Sequence, residues 1–400
     1  MKKKLRLFIG AGILATFLSG CFGGNLDLTS NDHDDMWQYQ NGRIVVPYDM
    51  SKMVGEIVIP SEVNGNAITG IAPQCFSGCD KITSIIVPNS VTSIGEGAFT
   101  GCSSLESISL PFVGEQENLD ETNKAVFGYV FGKYSYEGST QVKQWYMTAT
   151  SEHASAAYTS YIPNSLKKIT ITNDRGLIRG AMSKLANVTE IVLNDEIENI
   201  QEKCFDGCTN LQKVTMPSSL VRIKSEAFLD CSSLEELRLG RDLISIGEEA
   251  FKGCTSLAKI NSETNGEFIM PEKLEVIGAY AFGGCSKMTK YVAPFIGTSD
   301  SSIDEGGFFG RIFDKKESNG TTLVTFNYNT EELHLNYQTK MYIPSGLTSI
   351  EITKATRVYR YAFKNMDRLT SLTSIKINRE AQENVGEDAF ANCNVEPEWI

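Results

Sequence analysis

Apolar positions along this chain follow two short rhythms that recur together. In residues 105–111, Leu105, Ile108 and Leu110 are apolar while Glu106, Ser107 and Ser109 are polar. That pattern predicts a short strand with Ile108 and Leu110 inward, ended by Pro111. Upstream, Val91 and Ile94, closed by Gly95, predict a second extended leg. Between the two, Ala98-Phe99-Thr100-Gly101-Cys102 predicts a tight turn or a single helical turn. The phenylalanine of that turn recurs at Phe76, Phe99, Phe205, Phe228, Phe251, Phe282, Phe363 and Phe390, with Met182 in the same slot. The steps 76 to 99, 182 to 205, 205 to 228 and 228 to 251 are each 23 residues, and nine such units are counted. A unit of this size cannot bury its own Leu, Ile, Phe and Cys. The units are therefore expected to stack as coils of a solenoid, an α/β-type repeat architecture that is mostly β, with parallel strands.

The run Ile94-Gly95-x-x-Ala98-Phe99-x-Gly101-Cys102 and its 23-residue step resemble the BspA-type leucine-rich repeat of bacterial and some protozoan surface proteins. The stretch from Trp37 to Pro60, continued by Ser61-Glu62-Val63-Asn64-Gly65, also resembles that family's leading segment. The resemblance implies that residues 37–70 cap the first coil. Coils are then expected over 71–110, 163–293 and 344–400.

Two stretches, 111–162 and 294–343, break the rhythm yet match each other. Pro111-Phe112-Val113-Gly114 recurs as Pro294-Phe295-Ile296-Gly297, and Tyr161-Ile162-Pro163 recurs as Tyr342-Ile343-Pro344. They read as structured, aromatic-rich insertions in a larger super-repeat. Most of their aromatics are expected to pack over neighbouring coils. Tyr134, Tyr136, Trp145 and Tyr146, which flank the least apolar part of the first insertion, are expected to be exposed and available to a partner, since such residues dominate binding hot spots.

The chain opens with Lys2, Lys3, Lys4 and Arg6, then an apolar run over 7–18, then Leu18-Ser19-Gly20-Cys21. The run is too short to span a bilayer and reads as a signal peptide over 1–20. Its end resembles a bacterial lipobox, which implies acylation of Cys21 and a membrane tether through residues 21–36. Without residues 1–20 the chain keeps 33 basic and 49 acidic residues, a charge of −16. Such a charge disfavours nucleic acid as a partner.

Seven cysteines, Cys79, Cys102, Cys208, Cys231, Cys254, Cys285 and Cys393, fill one column of the repeat, where Leu185 and Met366 also occur. Stacked coils place equivalent side chains side by side, about 4.8 Å apart, which exceeds the roughly 3.8 Å Cβ separation of a disulfide. The column reads as a ladder of buried free thiols. With three histidines and no CxxC pair, neither a metal site nor a cofactor is expected.

On the predicted strands, one outward column runs Ser84, Ser107, Glu190, Lys213, Glu236, Lys259, Lys290, Ser374. Opposite charges on adjacent strands stabilise one another by roughly 0.2 to 1 kcal/mol. The second column, which includes Arg238, is mixed. Lys213, Glu236, Arg238 and Lys259 join the four aromatics as candidate partner-binding residues. No Gly-x-Ser-x-Gly, His-Glu-x-x-His or phosphate-loop motif occurs, so an enzyme is not expected. The expectation is a non-catalytic, lipid-anchored surface protein, adhesin-like, that binds a host or neighbouring-cell protein; the resemblance implies matrix proteins as a class. The alternatives are an envelope scaffold binding components of its own cell, or a glycan-binding surface protein.

Overall fold

The computed structural model describes residues 36–40, 44–117, 119, 122–147, 155–300, 307–330 and 335–400. Cys21 and the segments read as leader and tether lie outside the described residues, as do the three histidines. The chain divides into two compact units, Met1–Asp174 and Arg175–Ile400. Among the described residues there are strands, turns and short 3-10 helices, and no α-helix.

In the first unit, strands Gly55–Val58, Ile82–Ile86, Ser107–Leu110 and Lys168–Ile171 pair in parallel, with Ile85 beside Ile108 and Ile108 beside Ile169. The alternation read from the sequence is what turns those three isoleucines into the buried core. A second sheet begins with an antiparallel hairpin, Trp37–Gln40 against Ile44–Pro47, and continues in parallel through Gly70–Ile71 and Ser93–Ile94. The hairpin's Trp37 ring meets Phe76 edge-on at 6.2 Å, so an aromatic side chain closes the open side of the first coil.

In the second unit, nine strands from Glu190–Val192 to Pro397–Trp399 form the parallel sheet. The shorter legs Asn199–Ile200, Arg222–Ile223, Ser245–Ile246 and Val276–Ile277 form a second parallel sheet. One strand of the first sheet was not legible as a repeat. The step from Phe251 to Phe282 is 31 residues, eight more than the usual 23. The extra length folds back as Glu267–Ile269, inserted between Lys259–Ile260 and Lys290–Ala293.

The turns between strand and leg are laddered as well. The Phe76 amide donates to the Ala98 carbonyl at 2.7 Å, Phe228 to Ala250 at 2.8 Å and Phe363 to Ala389 at 2.7 Å. This ladder stacks the rings: Phe205, Phe228, Phe251 and Phe282 lie 5.0, 5.3 and 5.7 Å apart with interplanar angles of 26°, 15° and 8°. The residue two after the phenylalanine has positive φ, and a Cβ on Gly101 would lie 2.9 Å from the Gly78 amide nitrogen. Close approach of adjacent coils therefore favours glycine at that position. All seven thiols of the column are free, and five donate to the carbonyl of the preceding coil's turn: Cys102 to Phe76 at 3.5 Å, Cys208 to Met182, Cys231 to Phe205 and Cys254 to Phe228 at 3.2 Å, and Cys285 to Phe251 at 3.3 Å. Cys393, expected to be buried with the rest, is half-buried and donates instead to the Val395 carbonyl of its own coil. Burial pushes the Cys79 and Cys208 thiols up to about 12 and raises those of Cys102, Cys231 and Cys254 well above the usual thiol value.

The two stretches that break the rhythm are single expanded coils. Lys168 sits beside Ser107, 61 positions away, and Ser349 beside Lys290, 59 positions away. In each, a 3-10 helix replaces the standard turn: Phe127–Phe131 in the first and Phe309–Ile312 in the second. Phe99 donates to the Val130 carbonyl and Phe282 to the Ile312 carbonyl, both at 2.9 Å. Phe131 therefore takes the ring slot beside Phe99, 6.1 Å away, at a spacing the repeat does not predict, and in the second expanded coil Phe309 stacks on Phe363 at 5.9 Å with Phe313 packed edge-on against Phe309. A long antiparallel hairpin comes after each helix, Ser139–Met147 with Ser155–Pro163 and Thr321–Thr330 with Leu335–Pro344.

Candidate functional site

The first hairpin presents two unlike faces because neighbouring residues of a strand point oppositely. Val142 and Gln144 face inward and are buried. The Gly128 amide donates to Gln144 Oε1 at 2.7 Å, and Gly128 lies so close to the hairpin that a Cβ there would overlap Ser160 Oγ. Tyr158, also buried, donates its hydroxyl to Glu96 Oε1 at 2.8 Å, and Lys133 bridges the same carboxylate at 3.0 Å. These contacts hold the hairpin rigidly on its own coil.

The opposite face carries Gln141, Lys143 and Trp145 on one strand, paired in register with Tyr161, Thr159 and Ala157 on the other. Trp145 is 46% exposed. Its ring lies 5.1 Å from Lys143 Nζ, a cation–π contact, and Ala157 opposite it leaves the ring unobstructed. Gln141 Nε2 donates to the Tyr161 hydroxyl at 3.1 Å. The face presents one exposed ring, one cation and several hydrogen-bonding groups on a base held by Gln144 and Tyr158. Tyr134, 65% exposed, lies in the segment leading to the hairpin.

The other two aromatics expected at the surface are placed differently. Tyr146 is half-buried, on the inward side of the strand because it comes directly after Trp145. Tyr136 is half-buried beside Cys102, its hydroxyl enclosed without a hydrogen-bond partner among the described residues, and burial raises its pKa. Tyr136 covers the end of a thiol column, a packing role that neither its type nor its polar neighbours reveal. Sequence reasoning did not single out Gln141, Lys143 and Tyr161. The signal in the chain was the alternation of 141, 143 and 145, which becomes meaningful only once the segment is known to be a strand.

The four charged candidates lie on the parallel sheet of the second unit. Glu190, Lys213, Glu236 and Lys259 succeed one another across adjacent strands, and the short strand adds Glu267 before Lys290. The alternation is thus complete, and no two lysines are neighbours in this column. Lys259 pairs with Glu236 at 2.8 Å and Lys290 with Glu267 at 3.9 Å. The hydrogen bond from Lys259 holds the Glu236 carboxyl below the usual carboxylate range. Lys213 is exposed between two glutamates. Most of this column is therefore neutralised laterally, with Lys213 as its most accessible cation. In the second column Arg238 is exposed and pairs with Glu263. Among the described residues, no group of three or more His, Cys, Asp or Glu side chains is arranged to hold a metal ion.

Parallel strands, laddered turns and a column of inward Leu and Ile define a leucine-rich-repeat solenoid. The family model "BspA type Leucine rich repeat region (6 copies)" matches residues 54–179, 179–294, 261–310 and 324–397, and the chain belongs to that family. Solved structures with a similar fold include three bacterial proteins. A leucine-rich repeat protein from Bacteroides ovatus is 19% identical, with 92% of this chain and 81% of that one covered and a TM-score of 0.39. A leucine rich cell surface protein from Faecalibacterium prausnitzii is 15% identical, with 91% and 94% covered and a TM-score of 0.34. The pneumococcal vaccine antigen PcpA is 12% identical, with 92% and 98% covered and a TM-score of 0.32. No curated protein matches the chain. Proteins of this fold generally serve as non-enzymatic scaffolds for protein–protein interaction.

Proposed function

We propose that this protein is an exported, lipid-anchored, adhesin-like binding protein that engages a host or neighbouring-cell protein through the outer face of its first hairpin. The observation that carries this reading is the exposed Trp145 ring, flanked by Lys143 and Gln141, on a hairpin whose inner face is locked by Gln144 and Tyr158. An aromatic on a rigid base loses little conformational freedom on binding, which makes it an effective anchor. Lys213 and Arg238 on the sheet face would supply charged contacts of their own. The basic stretch, the apolar run and Cys21 support export and acylation, with the acyl chains entering a bacterial membrane.

The test is a pull-down with the chain from residue 26 onward against host serum and matrix extract in one arm and envelope extract of the parent cell in the other, read by mass spectrometry. Retention of a host protein by the wild type, weakened at least tenfold by Trp145→Ala, is the expected result. Retention of envelope components alone would move the reading to a scaffold within the cell envelope. A saccharide laid on the Trp145 ring is a second reading, favoured by the exposure of that ring and by the Thr159 and Tyr161 hydroxyls on the same face. A glycan array probed with the same two proteins separates it from the first.

A further inference from the structure

A groove in the second unit has the ingredients of a separate ligand site. It encloses about 850 Å³, within the range of roughly 300–1,000 Å³ common to ligand-binding clefts. Its floor is apolar, formed by Leu274 and Phe295. One wall is the half-buried Tyr359 ring, fixed at both ends: its hydroxyl donates to the Asp300 carbonyl, and Gly307 packs so closely that a Cβ there would lie 2.9 Å from Tyr359 Cβ. Arg357 lies over that ring, its guanidinium carbon 5.7 Å from the centroid, and has no carboxylate partner among the described residues. Glu275 lines the groove as well, and no cation of the described residues pairs with it. The remaining charged groups have partners within the fold: Lys354 pairs with Glu272 at 3.4 Å and donates to its carbonyl at 3.0 Å, Lys273 pairs with Asp242, and the Asp300 carboxylate accepts hydrogen bonds from the Thr356 amide at 3.4 Å and hydroxyl at 3.2 Å.

The super-repeat supplies an internal control. Residues of the second expanded coil correspond to those of the first at a shift of 181, and residues of the preceding coil at a shift of 183. At those shifts Lys354, Arg357 and Tyr359 correspond to Asn173, Gly176 and Ile178, and Glu272 and Lys273 to Asn89 and Ser90. The architecture therefore forms without these charges or this ring. Their concentration around one groove is not a demand of the fold.

We infer that this groove binds a short extended peptide segment of a protein partner, with an apolar side chain over the floor, an acidic side chain on Arg357 and a basic one on Glu275. A polyphosphate ligand would meet the carboxylates of Glu272, Glu275 and Asp300, and a neutral saccharide would leave both unpaired charges without partners. The site is independent of the hairpin platform, so Trp145→Ala leaves it unchanged and failure of either reading does not decide the other.

The test is selection of a phage-displayed random heptapeptide library on the immobilised full chain, in parallel with Arg357→Gln and Glu275→Gln. Both substituted positions lie at the surface, so melting curves of the three proteins should superimpose. The expected result is enrichment of peptides with an apolar residue flanked by acidic and basic ones. Arg357→Gln should weaken a selected peptide at least tenfold, and Glu275→Gln should abolish the preference for the basic residue. No enriched pattern, or the same pattern on all three proteins, overturns the proposal. Binding of an acidic oligosaccharide that Arg357→Gln abolishes would overturn the peptide assignment too.

Discussion

The two expanded coils place a hairpin on the same scaffold and lock it with opposite chemistry. In the first, Gly128 lies against polar groups, with its amide on Gln144 and its α-carbon against Ser160. In the second, the corresponding Gly310 lies against Phe326 and Met341, and Phe326 stacks on Phe308 at 4.7 Å. One hairpin is fixed by a directional hydrogen bond and the other by ring packing. The small residue is common to both because each 3-10 helix must approach its hairpin within contact distance. The side chains that face that glycine are free to vary, provided that every buried amide is satisfied or every void is filled.

The regular coils offer the sharpest contrast to both, because residues 111–162 and 294–343 contain no cysteine. A thiol whose pKa rises on folding stabilises the native state fully below its unfolded value of about 8.5, and that contribution disappears as pH climbs toward the folded value. With Cys79 and Cys208 raised to about 12, each loses about 1.4 kcal/mol per pH unit across that window. Stability should therefore fall steeply above about pH 8.5. Hydrogen exchange at about pH 10, inside that window, should show the regular coils losing protection before the two hairpins. Uniform loss would mean that the thiols do not govern alkaline unfolding.

The next largest effect is expected at the apolar lock. Phe326→Ala should destabilise the chain by about 3 to 5 kcal/mol, measured by urea unfolding, through the cavity left over Gly310. Gln144→Ala strips the Gly128 amide of its partner and should cost about 1 to 3 kcal/mol. Equal losses from the two substitutions would erase the distinction between packing and hydrogen bonding. The smallest effect belongs to Ser160, whose buried hydroxyl has no partner among the described residues. Ser160→Ala should be neutral or stabilising by up to about 1 kcal/mol. A loss above that would reveal a hydrogen bond that the geometry does not contain.

Sequence alone carried the coil far and the hairpin faces only partly. Phe228 and Cys231 announced their columns because a fixed step forces equivalent residues into equivalent places. Phe131 fills the ring slot 32 residues after Phe99, and Phe309 stacks on Phe363 54 residues before it, so no periodicity pointed to either. The strand Glu267–Ile269 escaped notice because three residues are too few to display alternation. Tyr136 and Trp145 are similar in type and neighbourhood, yet one covers a thiol and the other faces solvent. Strand parity decided Trp145, and a contact distant in sequence decided Tyr136.

The expanded coils also bear on how the chain reaches this arrangement. A strand that pairs with its predecessor across 23 residues closes a short loop, whereas Lys168 must find Ser107 across 61. Closing the longer loop costs about 0.9 kcal/mol more in chain entropy for a flexible segment. A hairpin formed beforehand draws Ser139 and Pro163 together, 24 positions apart, which shortens the effective loop from 61 positions to 37. Each hairpin thus serves as a folding splint: it removes about half of the extra closure cost of a detour of some sixty residues.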